Sequence, residues 1–128
     1  MRRFTASRVR SFGHAFQGWW YVLRTQRNAW LHVTIALAVF GLAAWIGLDT
    51  LEWAAIVLTT AVVFAAEFFN TAIELVVDLA SPQEHRLAKL GKDVAAAAVL
   101  LTALAAVFIG ILILGPPLLI KVQGLITR

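Results

Sequence analysis

Three apolar runs, at about residues 30–48, 53–77 and 94–114, dominate this chain. Each approaches or exceeds the ~20 residues that a helix needs to cross ~30 Å of hydrocarbon. A composition that is 61% hydrophobic, with a mean hydropathy of +0.83, belongs to a membrane rather than to a soluble core. With 128 residues the chain is one domain at most. The expected fold is all-α and integral to the membrane, with three spanning helices.

The segments between the runs read as helix punctuation. In "GLDTLEW" Asp49 or Thr50 is placed to cap the second span, with Glu52 in its first turn. In "LASPQEHRLAKLGKD" Ser81-Pro82 breaks the second helix, and Asp93 or a neighbour is expected to start the third. Gly115-Pro116-Pro117 is expected to end it. Ahead of the first span, Val9, Phe12, Phe16, Trp20 and Leu23 recur at helical spacing opposite Arg8, Gln17 and Arg24. This predicts an amphipathic surface helix over about 7–26, weakened by Gly13 and Gly18. Trp19, Trp20, Tyr21 and Trp30 would anchor one interface, and Trp45 and Trp53 the other.

Charge fixes the orientation. Six of the eleven Lys and Arg residues lie in the first 28 positions, three more at 86–92, and the last two are Lys121 and Arg128. Basic residues confined to loops beside spans argue against nucleic-acid binding and for the positive-inside pattern. The N-terminal arm and the 79–93 loop are therefore expected in the cytoplasm, and the acidic 49–52 turn outside. The first 28 residues hold no apolar signal core, so the chain is expected to stay whole. The absence of cysteine excludes disulfides and thiolate chemistry.

The second run is not uniformly apolar. "AAEFFNTAIELVVD" carries Glu67, Asn70, Glu74 and Asp78, with Thr71 beside them. At about 100° per residue these four fall on one helical stripe roughly 80° wide. Measured from Trp53, Glu67 lies ~21 Å in, within hydrocarbon, and Glu74 ~32 Å in, near the cytoplasmic edge. The stripe thus joins a site reachable from lipid to one reachable from cytoplasmic water. A carboxylate as deep as Glu67 must face protein or a cavity, where it suits a general base or a proton carrier. Glu74 and Asp78 are like charges at i, i+4 and call for a cation, for which oxygen ligands suit magnesium. Lys92 and Asp93, at the expected start of the third helix, would favour an anion such as phosphate. A base near lipid, a hard-metal site and a phosphate site together point to phosphoryl transfer to a lipid hydroxyl. No GxxxxGK[ST] or GxGxxG loop is present, so any nucleotide is held by another arrangement. Two other readings stand beside this one. A small proton-conducting or transport subunit would use Glu67 and Glu74 as relays, leaving Lys92-Asp93 without a role. A scaffold would use the stripe only to glue helices, a task for which three carboxylates are poorly suited.

"EFFNTAIELVVD" followed by "SPQEHRLAKLGKDVAAAAVL" resembles the prokaryotic diacylglycerol kinase family, which includes the undecaprenol kinases of Gram-positive bacteria. The family pattern is met without a gap by Glu67, Asn70, Thr71, Ala72, Ile73, Glu74, Val77, Asp78, His85, Leu87, Ala88, Lys92 and Asp93. The resemblance implies a homotrimer of three-span protomers in the bacterial inner membrane, with active sites shared between neighbours on the cytoplasmic side. It implies ATP as donor with Mg2+, and diacylglycerol or undecaprenol as the lipid alcohol. It implies Glu67 as catalytic base, Glu74 as metal and nucleotide ligand, and His85, Lys92 and Asp93 in the nucleotide site, with Asn70 and Asp78 in support. Two departures stand out: "RTQRN" puts Gln26 where the family often has a second metal-binding glutamate, and His14 replaces a tyrosine that contacts nucleotide in some members.

Overall fold

The computed structural model of the chain describes residues 2–127, and their side chains from Arg10 onward. Four helices follow one another: α1 (Arg2–Thr25), α2 (Arg27–Ile46), α3 (Thr50–Ala80) and α4 (Arg86–Ile126). The last three are long and apolar enough to cross a membrane; α1 is not. This is the expected surface helix plus three spans. Val9 and Arg8, both invoked for the amphipathic face, lie outside the described side chains. Phe12, Phe16 and Trp20 turn away from the protein, the side that a surface helix offers to lipid.

The α2–α3 turn is tight because every group in it is used. Gly47 takes a left-handed φ of 87°, which only glycine adopts without penalty, and its N–H reaches the Ala43 carbonyl at 3.0 Å. Asp49 and Glu52 then close a reciprocal capping box, each side chain accepting from the other's backbone N–H at 2.9 Å. Ala43, Leu48, Ile56 and Leu114 form the core beneath this turn.

Gly115-Pro116-Pro117 does not end α4, which runs on to Ile126. Each proline removes one i to i−4 bond, but a φ near −65° is compatible with the helix, and spanning helices tolerate proline where their surroundings re-satisfy the freed carbonyls. The extension has a structural use. Lys121 Nζ donates to the Trp45 carbonyl and, at 3.3 Å, to the Ile46 carbonyl, with the ammonium 4.9 Å from the Trp45 ring centre. A cation is thereby placed on the orphan carbonyls at the negative end of α2.

At the opposite end α3 stops as expected before Ser81-Pro82, with the Ser81 N–H bonded to the Val77 carbonyl at 2.8 Å. The start of α4 is a correction. His85, not Asp93, is the N-cap: its Nδ1 accepts from the Leu87 N–H at 3.2 Å. Residues 86–93 are mostly good helix formers, so the helix begins as soon as the proline is passed. Lys92 and Asp93 therefore sit roughly two turns inside α4, where the backbone N–H groups are engaged within the helix. At the true start of α4 the Leu87 N–H is taken by the His85 ring and the Lys89 N–H by the His85 carbonyl at 3.1 Å, so an anion there would meet only the other amides of the first turn.

Candidate active site

The stripe on α3 spans a gradient of burial. Glu67 is 1% exposed, Thr71 2% and Asn70 8%, whereas Glu74 is half-buried and Asp78 is 63% exposed at its side chain. Periodicity puts these residues on one face, and the packing of α3 on α1, α2 and α4 closes over its deeper half. Trp19 of α1 supplies part of the cover. Its ring lies 6.0 Å from Phe64 and 5.2 Å from Phe68, so one side of it packs on α3 while nearly half of the residue stays exposed, as an interface anchor requires.

Each carboxylate on the stripe has a different environment. Glu67 is buried with Oε2 lacking any hydrogen-bond partner among the described residues. Close to it, His32 of α2 meets Phe64 edge-on at 6.5 Å, one turn before Glu67, and Glu74 follows about two turns further along α3. Thr71 donates from Oγ1 to the Glu67 backbone carbonyl at 2.9 Å, which leaves the carboxylate itself free. Glu74 is held by two amides: Asn70 Nδ2 donates to Oε1 at 3.0 Å and Gln26 Nε2 to Oε2 at 3.3 Å. Asp78 is paired with Lys92. The two like charges are separated by giving one a pair of neutral donors and the other an ammonium.

Of the residues singled out in the sequence, the structure therefore brings together Gln26, Asn70 and Glu74 in one group, with Asp78 and Lys92 in another. His85 and Lys92 share the wall of a cavity of about 710 Å³, to which Asp78, Arg86 and Lys89 also contribute. Asp93 is exposed and does not line it, and His14 lies exposed on α1. Gln26 is not in the surface helix but in the link to α2, and this position lets it reach across to α3.

Among the described residues no three His, Asp or Glu side chains cluster as a metal site. The donor set nonetheless suits a hard cation carried in by a triphosphate. Glu74 offers one carboxylate, and Asn70 and Gln26 offer amide oxygens beside it, of which Asn70 Oδ1 is buried and has no partner. Magnesium in phosphoryl-transfer sites needs only one or two carboxylates, with phosphates and water completing its shell.

Residues 13–114 match the sequence model of the prokaryotic diacylglycerol kinase family. The chain belongs to that family. A diacylglycerol kinase from Synechocystis is 46% identical over 110 residues, covering 85% of this chain and 63% of that protein, so the match spans under two thirds of that relative's length. An undecaprenol kinase from Bacillus subtilis is 42% identical over 109 residues, covering 85% of this chain and 89% of the relative. A diacylglycerol kinase from Escherichia coli K12 is 29% identical over 107 residues, covering 77% and 81%. Within this family member, sequence reading passed over His32. A lone ionisable residue inside a spanning segment was the available signal.

Proposed function

We propose that this prokaryotic diacylglycerol kinase family member transfers the γ-phosphoryl group of ATP to the hydroxyl of a membrane lipid alcohol. The observation that carries this reading is the buried Glu67 carboxylate with an unpartnered oxygen, at the dry end of a stripe that reaches a basic cavity. Glu67 takes the proton of the acceptor hydroxyl as its oxygen bonds to the γ-phosphorus; the bond from that phosphorus to the β–γ bridging oxygen breaks, and ADP leaves. Lys92, His85 and the α4 N-terminus face the triphosphate, and Asp78 holds Lys92 in place. Asn70 fixes the Glu74 carboxylate and Asp93 stands in support of the nucleotide. Magnesium, held by Glu74 with the amide oxygens of Asn70 and Gln26, would neutralise charge on the phosphates.

Relatives named for both diacylglycerol and undecaprenol match the chain, and the motif lines the phosphate end rather than the lipid tail. Both acceptors, giving phosphatidic acid or undecaprenyl phosphate, therefore belong to the reading. So does a homotrimer with sites shared between protomers, as the family resemblance implies. Purified protein in detergent micelles with radiolabelled ATP and each lipid alcohol is the test. Phosphate on at least one lipid supports the reading, and none on either overturns it.

The site belongs on the cytoplasmic face of the inner membrane, as the basic loops imply. Single cysteines at Arg3, Thr50 and Arg86, in a chain that has none of its own, check this in intact cells. An impermeant thiol reagent is expected to label only the Thr50→Cys protein. Labelling of Arg86→Cys from outside would move the whole site to the wrong side.

Gln26 gives a second check. A Gln26→Glu substitution faces Glu74 with a like charge that only a cation relieves, so activity at fixed ATP should half-saturate at lower magnesium than in the parent. An unchanged magnesium dependence, with Glu74→Gln inactive, would place Gln26 outside the metal's reach.

A further inference from the structure

The joint between α1 and α2 is a single residue. Gln26 takes an extended backbone, φ −104° and ψ 113°, between Thr25 at the end of α1 and Arg27 at the start of α2. It stands at the N-cap of α2, where a side chain ordinarily accepts from the first free amides. Gln26 makes no such bond. Its side chain crosses instead to α3, where Nε2 donates to Glu74 Oε2 at 3.3 Å. Facing a carboxylate oxygen the amide must present its N–H, since both carboxylate oxygens are acceptors only. Packing beside the joint is incomplete. Val22 is buried, but a hollow of about 380 Å³ lies between α1 and α3, walled by Gly18, Trp19, Val22, Phe68 and Leu75.

We propose that Gln26 is a positioning residue, a clasp whose amide holds α1 over the α3 stripe both without and with magnesium, using opposite ends. Only the second of these states rests on the kinase reading. Without metal, the N–H end grips Glu74, as in the structure. A half-turn about the last side-chain torsion puts the oxygen end in the same place, towards a cation on Glu74, and the backbone of the joint need not move. An amide alone serves both states. Glutamate, which the family resemblance places at this position, has acceptors only. Its carboxylate would repel Glu74 until a cation came between them, so such a joint opens in metal-free protein and closes on loading. Leucine, of similar size, grips in neither state. The consequence concerns the base. Trp19 rests on Phe64 and Phe68, which flank Glu67 on α3, so a clasped α1 keeps the buried carboxylate covered before any substrate arrives.

Hydrogen exchange of the whole chain in micelles, read by mass spectrometry on peptides covering 22–30, reports opening of the joint directly. Wild type, Gln26→Leu and Gln26→Glu are compared in EDTA, in EDTA with ATP, and in magnesium with ATP, all without lipid alcohol. Peptides from 99–110 of α4 serve as the reference. Wild-type exchange over 22–30 should change by less than about twofold among the three conditions, since one hydrogen bond is traded for another contact. Gln26→Leu should exchange roughly 2- to 10-fold faster in all of them, the range for losing one hydrogen bond. Gln26→Glu should exchange about 10-fold faster or more in EDTA, with or without ATP, because repulsion adds to the lost bond. Magnesium with ATP should return it to the wild-type rate. Wild-type protection that appears only with magnesium overturns the proposal. So does a Gln26→Leu joint that exchanges like wild type, which would leave packing alone holding α1, or a Gln26→Glu joint protected in EDTA. The Gln26→Glu comparison is internal to one protein, so it decides even where the leucine variant also loosens α4. If neither lipid is phosphorylated and magnesium with ATP restores nothing, the kinase reading and the second state fall together. Restored protection without lipid transfer removes the kinase reading alone.

Discussion

Glu67→Gln is expected to lower kcat by about 10²–10⁴-fold, the usual contribution of general-base assistance, while the protein folds normally. The substitution keeps side-chain volume and removes only the capacity to take a proton. Stability should hold or rise, because Glu67 is 1% exposed and one of its oxygens has no partner, whereas a neutral amide is cheaper to bury. Steady-state kinetics and thermal unfolding in the same detergent separate the two effects. Retention of more than about a tenth of the wild-type rate would show that another group takes the proton.

Glu74→Gln should lose about 10²–10³-fold, the range for removing one preorganised electrostatic contact to a reacting centre. Its signature differs from that of Glu67→Gln in two ways. Raising magnesium should recover part of the activity, since Gln26 and Asn70 still offer oxygens. The protein should also be slightly less stable, because the new amide places an N–H donor where two donors already point at the carboxylate, at 3.0 and 3.3 Å. One of the three amides must turn or go unbonded, which costs about 1 kcal/mol. If magnesium restores Glu67→Gln and not Glu74→Gln, the two roles have been exchanged.

Much of this was legible in the chain because it depends on local repetition. Spans follow from uninterrupted apolar length, the 49–52 turn from a capping pair three residues apart, and the α3 stripe from 100° periodicity. Features that depend on how helices cross were not legible. Gln26 meets Glu74 across 48 positions, and Lys121 meets Trp45 across 76. Nothing in local patterning encodes either. His32 escaped notice because it has no periodic partner on its own helix; the ring it meets, Phe64, is on α3. Two misjudged helix ends have local causes. Histidine is a less usual cap than aspartate, so Asp93 drew attention from His85. The Pro-Pro pair is a strong stop signal in water but a weaker one inside a long apolar helix.

The lysine that reaches from the far end of α4 to the last carbonyls of α2 has a further consequence. With the Gly47 turn joining α2 to α3, it ties all three spans together at a single level. Heights along the helices are then measured from one common datum. A slip of one residue between neighbours is a displacement of only ~1.5 Å, yet it would separate groups that must meet within a hydrogen bond. The tie resists that slip from more than 20 Å away, at ~1.5 Å per residue, where it cannot obstruct the chemistry. The opposite end, where the loop lies, has its own cross-ties in the Asp78–Lys92 pair and the Gln26–Glu74 bond, so the spans are pinned at both levels and the stripe between them keeps its register.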